Sequence, residues 1–323
     1  MGALGIVRAG VFLAAGPDVT PGIQDWNAAV PRVFAAAWEA NLYSSFLAIC
    51  AFFALEAARG PRAVAGVVML GAVLIGFPLG ITRRAYLGLL AGAGAYALVR
   101  LVIERRPREL LRHVLLSTGL VAVGIAASVV MLPNLLERPA PGPPIAVVPT
   151  GPSASPGPSA SPGPSVTPVP KLVLVVGDSD TLGYRMERVN IAVGEFRQSP
   201  LIGFGATSFG QRHPGRYNGP GPDYIAVMVV AVVYESGIVG ATALGLGFLF
   251  LLLSLLIAAR RFAAQNDTRG SGAAAAFIAA IACMLVAYQA TSAYQFALNW
   301  IIIGAASALV VSQNSKASPF SGD

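Results

Sequence analysis

The sequence predicts an all-α, polytopic membrane protein, and three observations carry that prediction. Only 11% of its 323 residues are charged, against 55% that are hydrophobic, with a mean hydropathy of +0.67. A soluble globular domain carries about 25% charged residues, so this chain cannot cover a globule with polar surface. The apolar residues gather into long runs, and the 22 lysines and arginines gather into short clusters between them. That is how a membrane protein carries its positive charge, so the net +7 argues against nucleic acid as partner.

Crossing a hydrocarbon core of about 30 Å takes about 20 apolar residues. Seven runs qualify: Leu42–Ala58, Ala63–Ile81, Tyr86–Ile103, Val114–Leu132, Tyr224–Ala259, Ala273–Tyr288 and Phe296–Val311. Basic loops follow the first, third and fifth, ARGPR with Arg59 and Arg62 among them. The positive-inside rule turns these loops to the cytoplasm. Residues 134–222 and the turn Thr82-Arg83-Arg84 are then extracytoplasmic, and the tail 314–323 with Lys316 is cytoplasmic. Residues 1–41 form an extracytoplasmic N-terminal stub, with a weak first span as the alternative because Arg8 interrupts its apolar start. Four spans occupy 42–133 and three occupy 223–313. Cys50 and Cys283 both fall in apolar runs and provide neither zinc spacing nor a disulfide framework.

The run 224–259 is too long for one crossing. As one helix it measures about 54 Å, and Glu235, Ser236, Gly237 and Gly240 interrupt it. A break near Gly237 is predicted, leaving 238–259 as the span and Glu235 at its outer mouth. An acid there has to face protein or water.

The outer segment divides in two. Residues 134–170 contain GPSASP-GPSASP-GPSVTP, a composition that buries no core and makes a linker, bare or O-glycosylated. Residues 171–222 begin with KLVLVVGDSD, which has the look of a serine hydrolase block. Only about 50 residues separate Lys171 from the next span, too few for the sheet on which such a triad hangs. Ser179, Asp180 and Thr181 are instead candidate caps of the following helix. In that helix Met186, Val189, Val193 and Phe196 make an apolar face, while Arg185, Arg188 and Glu195 line another. Two readings stay open: an interfacial anchor with its arginines toward headgroups, or a guanidinium pair suited to a pyrophosphate.

Four blocks together resemble the O-antigen ligase and O-antigen polymerase-like membrane proteins. They are Arg32 with Asn41 and Leu47; Thr82-Arg83-Arg84-Ala85-Tyr86-Leu87; YRMERVNIAVGEFRQSPLIGFGATSFG at 184–210; and Tyr234-Glu235-Ser236-Gly237-Ile238-Val239-Gly240, which is similar to an E-x-G-x-x-G block. The resemblance implies transfer of a glycan from undecaprenyl pyrophosphate to an acceptor sugar on the outer face, with neither metal nor nucleotide sugar as cofactor. It implies that Arg83, Arg84, Arg185 and Arg188 bind the pyrophosphate; for Arg83 and Arg84 the alternative is snorkelling at a helix end. The family's His-Asn-x-Tyr motif is absent where it is expected, at Ala226 and Val227. His213 and Asp223 are the candidates for its role, and Glu235 joins them as a candidate catalytic residue. The family's earlier spans are also missing ahead of Arg32. The alternative function is therefore a truncated or non-catalytic member, a partner in cell-envelope polysaccharide assembly. A transporter would want inverted repeats and midplane polar groups, and the sequence shows neither.

Overall fold

The computed structural model describes residues 23–25, 31–33, 40–61, 63–77, 83–104, 179–213, 224–290 and 297–316. Apart from an antiparallel pair of three-residue strands, β1 (Ile23–Asp25) and β2 (Pro31–Val33), the described elements are helical. In chain order they are α1 (Ala40–Ala57), α2 (Ala63–Gly76), α3 (Arg83–Glu104), α4 (Ser179–Phe196), α5 (Ser208–Arg212), α6 (Met228–Ala264), α7 (Thr268–Ala287), a 3-10 turn (Tyr288–Ala290) and α8 (Ala297–Lys316).

Four helices are long and apolar enough to cross a membrane: Arg84–Ile103 in α3, Met228–Ala264, Thr268–Ala287, and Ala297–Asn314 in α8. The expected count of seven is not reached among the described residues. The runs Leu42–Ala58 and Ala63–Ile81 form the shorter helices α1 and α2, and α2 stops after 14 residues at Gly76. At 1.5 Å per residue α2 reaches about 21 Å, short of a full crossing. The run Val114–Leu132 and the linker repeats lie outside the described residues.

The most buried of these helices is α7, on which α1, α3 and α6 pack. Its run of small residues lets neighbouring backbones approach closely, the usual means of helix association in lipid. Gly88 and Gly92 of α3 are seated against Cys283 and Ala279 of α7, and a Cβ at Gly92 would lie 2.7 Å from the Ala279 carbonyl oxygen. The hairpin between α6 and α7 is tight because Asn266 takes the left-handed conformation, φ 57°, a role asparagine tolerates. Asp267 then caps α7, its side chain accepting from the Arg269 and Gly270 amides at 3.1 and 2.9 Å.

Contacts between neighbours sort the helix ends into two sets. The C-terminal ends of α1 and α3 meet the start of α7 around Glu56, Arg100 and Gly272. The end of α6 meets the end of α8 through Arg261 Nη1 and Asn314 Oδ1 at 2.6 Å. The opposite end gathers Phe77, Tyr86, Tyr288 and Asn299, with a Phe77–Tyr86 edge contact at 4.7 Å and a Tyr288–Asn299 hydrogen bond of 2.8 Å.

At the first end α1 and α3 are pinned by one carboxylate, against which α7 is closely packed. Glu56 accepts from Arg100 Nη2 at 2.6 Å, from Arg59 Nη1 at 3.3 Å and from the Tyr96 hydroxyl. Arg100 is only 6% exposed. Arginine suits such a buried pair because its planar fork serves a carboxylate and a phenol together. The α7 backbone comes so close that a Cβ at Gly272 would lie 2.1 Å from Glu56 Oε2.

Candidate functional site at the break in α6

The predicted break in α6 is present at Gly237, whose φ of 66° and ψ of −175° interrupt the 37-residue helix. A break strands backbone groups: in an unbroken helix the Ile238 and Val239 amides would donate to the Tyr234 and Glu235 carbonyls. Unpaired, each would be costly in a membrane-spanning segment. The loop after α4 satisfies all four groups. Ile238 N–H donates to the Pro200 carbonyl (2.9 Å) and Val239 N–H to the Leu201 carbonyl (3.1 Å). In the other direction Phe204 N–H donates to the Tyr234 carbonyl (3.0 Å) and Gly205 N–H to the Glu235 carbonyl (2.8 Å). The loop has inserted itself between the two halves of the helical pairs.

Two glycines make the insertion sterically feasible. Gly203 has φ +68°, and a Cβ there would lie 2.5 Å from the Glu235 carbonyl carbon and the Gly237 nitrogen. A Cβ on Gly237 would lie 2.2 Å from the Leu201 oxygen. Both the positive φ and the close approach require glycine. Ser199 braces the loop from within, its hydroxyl donating to the Gly203 carbonyl at 2.7 Å.

A polar cluster is built on this interlock. Glu195, in the last turn of α4, accepts from the Tyr234 hydroxyl at 2.5 Å and pairs with Arg212 Nε at 3.3 Å. His213 Nε2 lies 3.1 Å from the other oxygen of Glu195. Aromatic rings line the cluster: the Arg212 guanidinium stands 4.4 Å over the Phe204 ring, and the His213 ring lies 4.7 Å from Phe209. Phe204 and Phe209 both contact the Tyr234 ring, at 4.7 and 5.5 Å. Ala192, Phe209, Ile225, Ala231 and Tyr234 form a separate apolar core beneath the cluster.

Burial pushes the Glu195 carboxyl up, but the hydrogen bond from Tyr234 and the nearness of His213 and Arg212 outweigh it. The net effect holds this carboxyl below the usual carboxylate value of 4.5. A depressed carboxylate contributes stability that is fully present above its unfolded pKa and is lost as pH falls through its folded pKa. The stability difference between the protein and Glu195→Gln is therefore expected to stay constant from neutral pH down to about 4.5 and to shrink below it. Thermal unfolding of both proteins across that range is the check, and a difference that is already shrinking near pH 6 would contradict it.

The sequence-derived candidates fare unevenly. His213 joins the cluster. Glu235 lies one residue beyond Tyr234, with its carbonyl taken by the loop and its side chain half-buried and engaged within the protein. Asp223 lies outside the described residues, as does the side chain of Arg83. Arg84 is half-buried in the first turn of α3 with a partner in the protein, and Arg185 is half-buried on α4. Neither is among the partners of Glu195. Arg188 is 1% exposed and has a partner within the protein, so its guanidinium does not face headgroups. The α4 face turned to the protein is Arg188, Ala192 and Glu195, and none of Met186, Val189, Val193 and Phe196 is buried. The helix is rotated from the orientation its apolar stripe suggests, because Glu195 and Arg188 find polar partners inward.

Sequence reasoning missed Arg212, Tyr234, Phe204 and Glu195 as members of a site. Their adjacency to His213, Glu235 and the Gly203-Phe204-Gly205 turn was the available signal. Among the described residues no three His, Cys, Asp or Glu side chains are grouped to hold a metal ion.

The fold and its apolar helices define a multi-pass membrane protein. No protein-family model matches the chain, and no curated protein or solved structure matches it either.

Proposed function

We propose that the chain is a metal-independent glycan transferase of the O-antigen ligase or polymerase-like type. It takes a polysaccharide or repeat unit from undecaprenyl pyrophosphate to an acceptor sugar on the outer face of the plasma membrane. In this reading the chain crosses seven times, with 134–222 outside and the C-terminus inside. One observation supports it above the others: two of the blocks that resemble the family, 184–210 and 234–240, interlock through four backbone hydrogen bonds, and Glu195 of the first lies 3.1 Å from His213 just beyond it.

The chemistry assigns each group a task. The acceptor hydroxyl oxygen forms a bond to the anomeric carbon while the bond from that carbon to the pyrophosphate oxygen breaks. The pyrophosphate leaves with the bonding electrons, and the hydroxyl proton passes to His213 as general base. Glu195 and Phe209 orient the imidazole. Arg84 and Arg185 neutralise charge growing on the leaving group, the usual largest contribution in such a step.

The test is surface-glycan formation in cells carrying single variants. His213→Ala, Arg84→Ala and Arg185→Ala are each expected to abolish it while membrane insertion persists. For His213→Ala, loss of a general base corresponds to a fall of about 10²–10⁴-fold in rate. Normal glycan in all three would sink the transferase reading and leave the chain as a non-catalytic partner in envelope-polysaccharide assembly.

A further inference from the structure

We infer that the apex of the 199–205 loop and one side of α4 are seated in the acyl-chain region of the leaflet into which the N-terminal half of α6 opens. This inference stands independently of the proposed transfer reaction.

Depth comes from the interlock. Residues 238–259, between the break and Arg260–Arg261, make a helix of about 33 Å, which matches a hydrocarbon core of about 30 Å. Ile238 therefore lies at the outer edge of that core, and Ile238 and Val239 are exposed on a helix whose exposed face is lipid-facing. Leu201 and Ile202 cannot sit at another depth, because the Pro200 and Leu201 carbonyls accept from the Ile238 and Val239 amides. Yet Ile202 is 76% exposed and Leu201 62%. Two large aliphatic side chains fixed at the rim of a membrane span and turned away from the protein extend the lipid-facing surface of α6 itself.

The α4 helix continues that surface. Its inward face, Arg188–Ala192–Glu195, is occupied by the protein, and its Glu187 and Asn190 face is polar and exposed. Between these lies the stripe Met186–Val189–Val193–Phe196, rotated roughly 110° from the inward face at 100° per residue. Met186 is 50% and Val193 58% exposed. A helix with protein beneath it, polar residues on one flank and apolar residues on the other fits the plane of a bilayer boundary. Arg197, exposed at the end of α4, is placed to reach lipid phosphates from there. The arginines of α4 do not lead the insertion. The aliphatic flank does, with the polar cluster of Glu195 and His213 held on the protein side, shielded from lipid.

Nitroxide labels on single cysteines at Ile202, Val193 and Asn190, in a Cys50→Ala, Cys283→Ala background reconstituted in phosphatidylcholine vesicles, test this depth. Collisions with oxygen, which concentrates in lipid, are expected to exceed those with a water-soluble nickel chelate several-fold at 202 and 193, and the order to reverse at 190. Chelate access at 202 and 193 equal to that at 190 would overturn the inference. Cys283 is fully buried, so a second measurement keeps both native thiols. Ile202→Trp is placed in dibrominated phosphatidylcholine and compared with the unsubstituted protein and its three tryptophans. Added quenching at 202 supports insertion, and its absence overturns it.

Discussion

Gly237→Ala is expected to unseat the 199–205 loop and to lower stability by about 4 kcal/mol or more. Three terms add. Positive φ with an extended ψ is a conformation kept almost wholly to glycine, and it costs a residue with a Cβ about 1–3 kcal/mol. A carbon 2.2 Å from the Leu201 oxygen forces backbone to move, and overpacking of that kind costs about 1–3 kcal/mol. Once the loop moves, the four backbone bonds across the break go with it, each worth about 1 kcal/mol net. Gly203→Ala attacks the same interlock from the loop side, and the double variant is expected to be little worse than either single one, because the two substitutions break one shared structure. Gly245→Ala, whose Cβ would meet nothing within 4 Å, is the control and is expected to leave stability unchanged or slightly raised. Thermal unfolding in nanodiscs and protease cleavage within 197–207 give the readout. A Gly237→Ala protein with the melting temperature of the control would show that the loop does not depend on the break.

Glu56→Ala is expected to cost about 3–5 kcal/mol, because it leaves the buried Arg100 guanidinium without its carboxylate in a membrane bundle. The loss comes from the uncompensated charge more than from the missing contact. Glu56→Leu combined with Arg100→Leu is therefore expected to recover most of the stability that Glu56→Leu alone removes. Tyr96→Phe keeps the ion pair and removes one hydroxyl, with an expected cost of about 1 kcal/mol. Equal unfolding temperatures for Glu56→Ala and Tyr96→Phe would mean that charge compensation at Arg100 is worth no more than one hydroxyl hydrogen bond. Because Glu56, Tyr96 and Arg100 lie at the end of the bundle opposite the α6 break, these variants should leave the loop's protease resistance intact up to their own melting point.

The two networks differ in what made them readable. Residues 224–259 announced a break because the run exceeds the thickness of a bilayer and carries Glu235-Ser236-Gly237 within it. Length and composition alone decide that, since a helix has a fixed rise and lipid a fixed thickness. The partner of the break was not readable. That Pro200, Leu201, Phe204 and Gly205 fill it depends on a loop 30 to 38 residues away closing onto carbonyls and amides, and every residue type presents the same backbone groups. The glycines at 203 and 237 could be read as necessary only once each was seen against the other.

Side-chain partners were hidden for a related reason. Periodicity on α4 marked an apolar stripe and a charged one, but not which of them faces protein in a molecule with lipid on one flank and water on another. In a soluble protein the apolar stripe goes inward. Here the face turned to the protein is that of Arg188, Ala192 and Glu195, with Glu195 paired to Tyr234 and Arg212. Glu56 and Arg100 are 44 residues apart on different helices, and no local pattern pairs them.

The sequence by itself determined that this is a helical membrane protein, roughly where the described apolar helices run, and where the longest of them breaks. These follow from composition and length, which act residue by residue and need no knowledge of neighbours. Only the tertiary structure decided which loop heals the break, which face of α4 meets lipid, and that His213 stands with Glu195, Arg212 and Tyr234. Those outcomes rest on pairing buried polar groups across distant parts of the chain, where the cost of leaving any of them unpaired selects one arrangement.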